Sequence, residues 1–76
     1  MEWKQYITTD PAVLVGKPII AGTRLSVEFI LDLISEGWSE KDILRNYPGI
    51  THEQLLACVA YAKDLVSDES IFAIPV

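Results

Sequence analysis

The residues able to do chemistry in this chain are few. Its one histidine and one cysteine, His52 and Cys58, stand about 240° apart around a helix of 3.6 residues per turn, so the imidazole has no local route to activating the thiol. Beside Leu55, Val59 and Ala62 the cysteine reads as a small core residue. A single Cys and a single His do not make zinc-ligand spacing. Gly16-Lys17 lacks the context of a nucleotide-binding loop, because Pro11 stands where its first glycine belongs and Pro18 where its hydroxyl belongs. No catalysis, cofactor or metal is therefore expected. Binding chemistry remains. Arg24, in Ala21-Gly22-Thr23-Arg24, carries a planar fork suited to phosphate or carboxylate, or to an intrachain pair for which Glu28 is one candidate. Lys41 and Arg45 are spaced i, i+4, as a phosphate-facing pair would be, while Gln54 suits adenine and His52 a phosphate. The alternative for Lys41 and Arg45 is a solvated face balancing Glu40 and Asp42.

The elements that must position these groups can be read from the chain's punctuation. Pro11, Gly16, Pro18 and Gly22 keep the first 25 residues from being helical. Two short apolar runs, 12–15 and 18–21, separated by Gly16-Lys17, predict a tight β-hairpin, with Pro18 at a strand start or edge. From Ser26 the period becomes helical: Val27, Ile30, Leu31 and Ile34 form one stripe. Gly37 suits the left-handed position after this helix. Ser39 caps a short second helix over about 40–46, stopped by Tyr47-Pro48-Gly49. Thr51, with Gln54 three residues on, opens a third and longest helix, whose stripe runs through Leu55, Val59, Ala62 and Val66. With Ser26, Ser39 and Thr51 as N-caps, the pairs Leu25/Ile30, Trp38/Ile43 and Ile50/Leu55 all occupy staple positions. The fold expected is mainly α, a three-helix core over 26–66 with a short N-terminal β-hairpin arm over 1–25 and an apolar tail over 67–76, all one domain.

A short helix, a glycine-containing turn and a longer capped helix form a helix-turn-helix signature. It would place Thr51, His52 and Gln54 at the entry of a recognition helix and make DNA a candidate partner. Charge argues the other way. Six Lys and Arg against eleven Asp and Glu give −5, which excludes nucleic-acid or anionic-membrane binding through bulk charge, so any DNA contact must be local. Seventy-six residues bury roughly 60–65% of the surface of the unfolded chain, a marginal core that a second copy would help. Together with the hairpin's open edge, this predicts a homodimer. Ala57 and Tyr61 lie off the expected core stripe of helix three, and Ile71, Phe72 and Ile74 form an apolar, extended tail. These five are the candidate partner-binding residues, with folding back onto the core as the alternative for both groups. One cysteine closes no intrachain disulfide, and the start shows no basic-then-apolar leader. The longest apolar run, 55–62, falls short of the ~18 residues a membrane span needs, so a cytoplasmic location is expected.

With Gly16-Lys17-Pro18-Ile19-Ile20-Ala21-Gly22-Thr23-Arg24, Glu36-Gly37-Trp38-Ser39, Ile43, Tyr47-Pro48 and the run 55–62 in view, the chain resembles, over about 7–64, a bacterial family catalogued among domains of unknown function as number 433. The resemblance rests above all on the motif residues Gly16, Lys17, Pro18, Gly22, Thr23 and Arg24. It implies a homeodomain-like helix-turn-helix fold with an N-terminal hairpin. In function it implies an antitoxin-like regulator paired with a PIN-like nuclease toxin and repressing its own operator DNA. A protein-interaction module that keeps this fold without binding DNA is the alternative.

Overall fold

The computed structural model describes residues 1–67. Along the chain it contains a 3-10 turn Trp3–Gln5, strand β1 (Ile7–Thr8), a second 3-10 turn Leu14–Gly16, strand β2 (Ile19–Ile20), and helices α1 (Val27–Ser35), α2 (Glu40–Asn46) and α3 (His52–Val66). A mainly helical globule with an antiparallel N-terminal hairpin is thus the fold.

All three helices start where an oxygen side chain can cap them. Ser26 accepts from the Phe29 amide, Ser39 from the Asp42 amide and Thr51 from the Gln54 amide. Each such cap is worth about 1 kcal/mol, because it satisfies an amide that has no partner inside the helix. After α1 the chain turns at Gly37, whose φ is +95°. The Gly37 amide donates to the Ile34 carbonyl and the Trp38 amide to the Leu33 carbonyl, the paired bonds of a Schellman turn. This turn aims Trp38 and α2 back at the core.

The hairpin is built from different residues than the apolar runs predict. Ile7 pairs with Ile20 and Thr8 with Ile19, so the first strand lies at 7–8 and not at 12–15. Segment 12–15 cannot enter a ladder because the chain coils there. The Asp10 carboxylate accepts from the Ala12 amide, Val13 donates to the Asp10 carbonyl, and Gly16 donates to the Val13 carbonyl. Leu14, Val15 and Gly16 all take positive φ, at 50°, 57° and 79°. Pro18 stands directly before β2, as its missing amide requires. The far edge of β2 is covered by its own chain: the Ile20 amide donates to the Leu25 carbonyl, Val27 donates to the Pro18 carbonyl, and Ile19 bridges Ser26. The edge expected to recruit a second copy is closed there.

Ile20, Ile30, Ile43 and Cys58 are the largest fully buried side chains. Burying each isoleucine contributes roughly 1.5–3 kcal/mol. Around them pack Ile7, Val27, Leu33, Ile50, Leu55 and Ala57. Two helix stripes are rotated from the expected ones. In α1, Leu33 is buried and Ile34 is exposed; in α3, Leu55, Ala57 and Cys58 are buried while Val59 and Val66 are exposed. In α3 the N-terminal turn packs on the side that is turned inward. Trp3 meets Tyr61 edge to face, ring centroids 4.8 Å apart, and donates from Nε1 to the Asp64 carboxylate at 2.6 Å. These contacts hold the Ala57–Cys58–Tyr61 side of α3 inward.

Candidate functional site

The nucleic-acid candidates gather at the α2–α3 junction, but most are already engaged. Gln54 accepts from the Thr51 amide through Oε1 at 2.8 Å, and Thr51 Oγ1 accepts from the Gln54 amide at 3.2 Å, a reciprocal capping box. Reading adenine needs both ends of the Gln54 amide, and one of them is committed to the helix start. His52 is also occupied: its Nδ1 lies 2.6 Å from Glu40 Oε1, tying the N-terminus of α3 to that of α2. Lys41 and Arg45 are exposed on α2 and, among the described residues, take part in no ion pair.

The partner-binding residues need correction. Ala57 is fully buried and offers no surface, whereas Tyr61 packs its ring against Trp3 but stays half-buried at the border of a cleft shared with Leu31 and Leu65; Ile71, Phe72 and Ile74 lie outside the described residues. What the outer side of α3 does present is Leu56, 42% exposed, and Val59, 47% exposed. Ala60 stands one turn on from Leu56, half-buried, with Glu53 and Lys63 at either end of this face. Leu56 and Val59 border a groove of about 220 Å³ whose other walls are Ile34, Trp38, Glu40, Ile43 and Leu55. The signal for this face was present in the sequence. Eight consecutive apolar residues at 55–62 cover more than two full helical turns, so no single buried face can absorb all of them.

The Gly-Lys-Pro to Gly-Thr-Arg segment has its own geometry. Gly16 and Gly22 take φ of +79° and +82°, conformations that glycine adopts without strain. Lys17 Nζ lies 2.8 Å from Glu28 Oε1, a hydrogen bond and charge that hold the Glu28 carboxyl below its ordinary range. Lys17, and not Arg24, is therefore the partner of Glu28. The Thr23 hydroxyl donates to the Ile20 carbonyl and accepts from the Leu25 amide. Arg24 is exposed and, among the described residues, has no ionic partner. It borders an open cleft of about 520 Å³ lined also by Leu14, Val15, Lys17, Leu25, Ser26 and Phe29.

Burial pushes the Cys58 thiol up to about 11, which disfavours the reactive thiolate. Among the described residues no group of three or more His, Cys, Asp and Glu side chains is arranged to hold a metal, and no helix is long and apolar enough to cross a membrane.

The family model for a protein of unknown function, DUF433, matches residues 7–62. The fold is similar to the crystal structure of a DUF433 member from Anabaena variabilis ATCC 29413, with 34% sequence identity and a TM-score of 0.74. That match covers 78% of this chain and 58% of the cyanobacterial one, so the chain spans little more than half of that protein's length. No curated protein matches. With the motif, the hairpin, the first two helices and most of α3 inside the matched region, the chain belongs to the DUF433 family.

Proposed function

We propose that this chain is a small regulatory protein that works by binding another protein, the antitoxin-like half of a pair whose other half is a PIN-like nuclease. The observation that carries the reading is the outer side of α3. In a helix-turn-helix this side enters the major groove, and here it carries Leu56, Val59 and Ala60 between Glu53 and Lys63. Apart from Lys63 at its C-terminal end, such a face offers no donor to a base edge, and Glu53 repels phosphate. It suits the apolar surface of a protein partner, with the groove beside Trp38 ready to take a projecting side chain. The nuclease comes from the family resemblance, and occlusion of its active site is the regulatory act. With a buried thiol and a histidine held by Glu40, the chain acts by binding and not by catalysis.

Operator binding is a second reading, favoured by the exposed Lys41 and Arg45 on α2, which take part in no ion pair among the described residues. The net charge of −5 and the engaged Thr51, His52 and Gln54 weigh against it, so the nuclease would have to supply most of any DNA contact.

The test is co-expression with the neighbouring PIN-like nuclease and co-purification. Leu56→Asp/Val59→Asp should abolish the complex, whereas Lys41→Ala/Arg45→Ala should leave it intact. A complex that survives the aspartates would overturn the assignment of the face. Light scattering on the chain alone reports whether a second copy occupies that face instead, and a gel-shift series with upstream and scrambled DNA decides the operator reading.

A further inference from the structure

We infer that the cleft beside Arg24 is a second binding site, separate from the α3 face, for a protein segment that presents a carboxylate next to a large apolar side chain. Three observations meet there. The first is chemical: the cleft has an apolar lining from Leu14, Val15, Leu25 and Phe29, with a guanidinium at its rim that pairs with no carboxylate among the described residues. Lys17, the other cation of the lining, is neutralised by Glu28 at 2.8 Å. One uncompensated positive charge suits a single carboxylate better than a doubly charged phosphate, and the guanidinium fork suits its geometry.

The second observation is the backbone. Leu14 and Val15 hold φ of 50° and 57°, a region that residues with a Cβ disfavour and that for a β-branched side chain is a true outlier. Strain of this kind gathers at ligand clamps. Here it has a visible result, because the left-handed turn lifts the Val15 side chain out of the fold until it is 95% exposed, with Leu14 45% exposed beside it. A sequence serving the fold alone would place Gly or Asn at this turn.

The third observation selects the kind of occupant. A small ligand would be served by walls that enclose it, but Val15 projects beyond the cleft and can be buried only against a surface larger than the cleft itself. A projecting apolar residue next to a cleft is complementary to a protein that has a projection and a hollow of its own. Within the motif, Gly16 and Gly22 set the turns, Lys17 holds Glu28, Pro18 leads into β2 and Thr23 closes a loop. Arg24 is the polar motif residue whose side chain makes no hydrogen bond or ion pair among the described residues.

The test uses the full chain labelled with nitrogen-15 and the peptide acetyl-Leu-Phe-Glu-Leu-amide. The peptide should shift the amide signals of Leu14, Val15, Gly16, Arg24 and Leu25 saturably. Its Gln-for-Glu counterpart should bind about tenfold more weakly, and Arg24→Gln, at an exposed position that leaves the core intact, should remove that difference. Val15→Asp should abolish binding of both peptides. Equal affinity for the Glu and Gln peptides, or shifts confined to α3, would overturn the proposal. So would octanoate producing the same shifts at the same affinity, which would assign the cleft to free carboxylic acids. Leu56→Asp should leave the peptide shifts unchanged, so failure here and failure of the α3 face are separately visible.

Discussion

The turn at Leu14–Gly16 makes a stability prediction that runs against ordinary expectation, namely that removing an apolar side chain will raise the melting temperature. The left-handed conformation is unfavourable by roughly 1–2 kcal/mol for a residue carrying a Cβ, and the two γ-methyl groups of valine leave it little room to adjust. Val15 contributes almost no burial in return, being 95% exposed. Val15→Asn should therefore stabilise the fold by about 1 kcal/mol, because asparagine tolerates this region. Val15→Gly relieves more strain but loses roughly 0.5–1 kcal/mol to the greater freedom of the unfolded chain, so it should fall at or below the asparagine variant. For a domain of this size about 1 kcal/mol corresponds to a rise of roughly 4–8 °C. Thermal melts followed by far-ultraviolet circular dichroism, with the parent and Val15→Ala run alongside, measure it. The strain argument is refuted if Val15→Asn melts at or below the parent. If it melts higher and also loses the acidic peptide, the turn trades stability for binding.

Three further predictions concern single interactions. Thr51→Ala should destabilise by about 1 kcal/mol through loss of the α3 cap, and Gln54→Ala should have a smaller effect in that background than alone, since the two form one reciprocal unit; urea melts of the four-protein cycle would show additivity if the box were inert. Cys58 should resist thiol reagents in the folded protein at neutral pH. Its folded pKa, about 11, lies above the ordinary 9.0, so stability should hold below about pH 9 and decline as pH rises toward 11, where the unfolded chain ionises first; a flat profile across that window, or a loss also present in Cys58→Ala, contradicts this. Lys17→Ala should let the Glu28 carboxyl titrate at its ordinary, higher pH. In the parent the pair's contribution is present above the ordinary glutamate range and is lost as pH falls through the lowered value, and a carbon-13 titration of Glu28 that is the same in both proteins removes the pairing.

What could be read from the sequence divides along a physical line. Helix starts depend on interactions across three or four residues, and Ser26, Ser39 and Thr51 were all identifiable as caps with the helices following directly. Strand partners depend on contacts between distant segments. Ile7 and Thr8, flanked by Tyr6 and Thr9, carry no alternation that distinguishes them from a loop, whereas 12–15 looks like a strand and is turned away by hydrogen bonds from Asp10 and Val13. The inward side of α3 was hidden for the same reason. Its period allows Leu55, Val59, Ala62 and Val66 to be the core, and contacts with distant segments, among them Trp3, 61 residues upstream of Asp64, decide otherwise.

That rotation changes what the exposed apolar residues mean. A chain this short cannot bury half of its residues, so some surplus is unavoidable and single exposed hydrophobics need no explanation. Grouping does. Leu14 and Val15 stand together at a strained turn beside a free guanidinium, while Ile34, Leu56 and Val59 surround one groove between α1, α2 and α3. The chain is strongly acidic, and only the first group has a cation at its rim, Arg24, whereas the charged residue lining the second groove is Glu40. On a protein of charge −5, the Arg24 cleft suits a partner segment carrying a carboxylate, while the groove beside Glu40 suits an apolar contact, and neither favours the phosphate backbone. Raising the salt concentration should therefore weaken binding at the Arg24 cleft, while leaving the apolar contact at the α3 groove little changed.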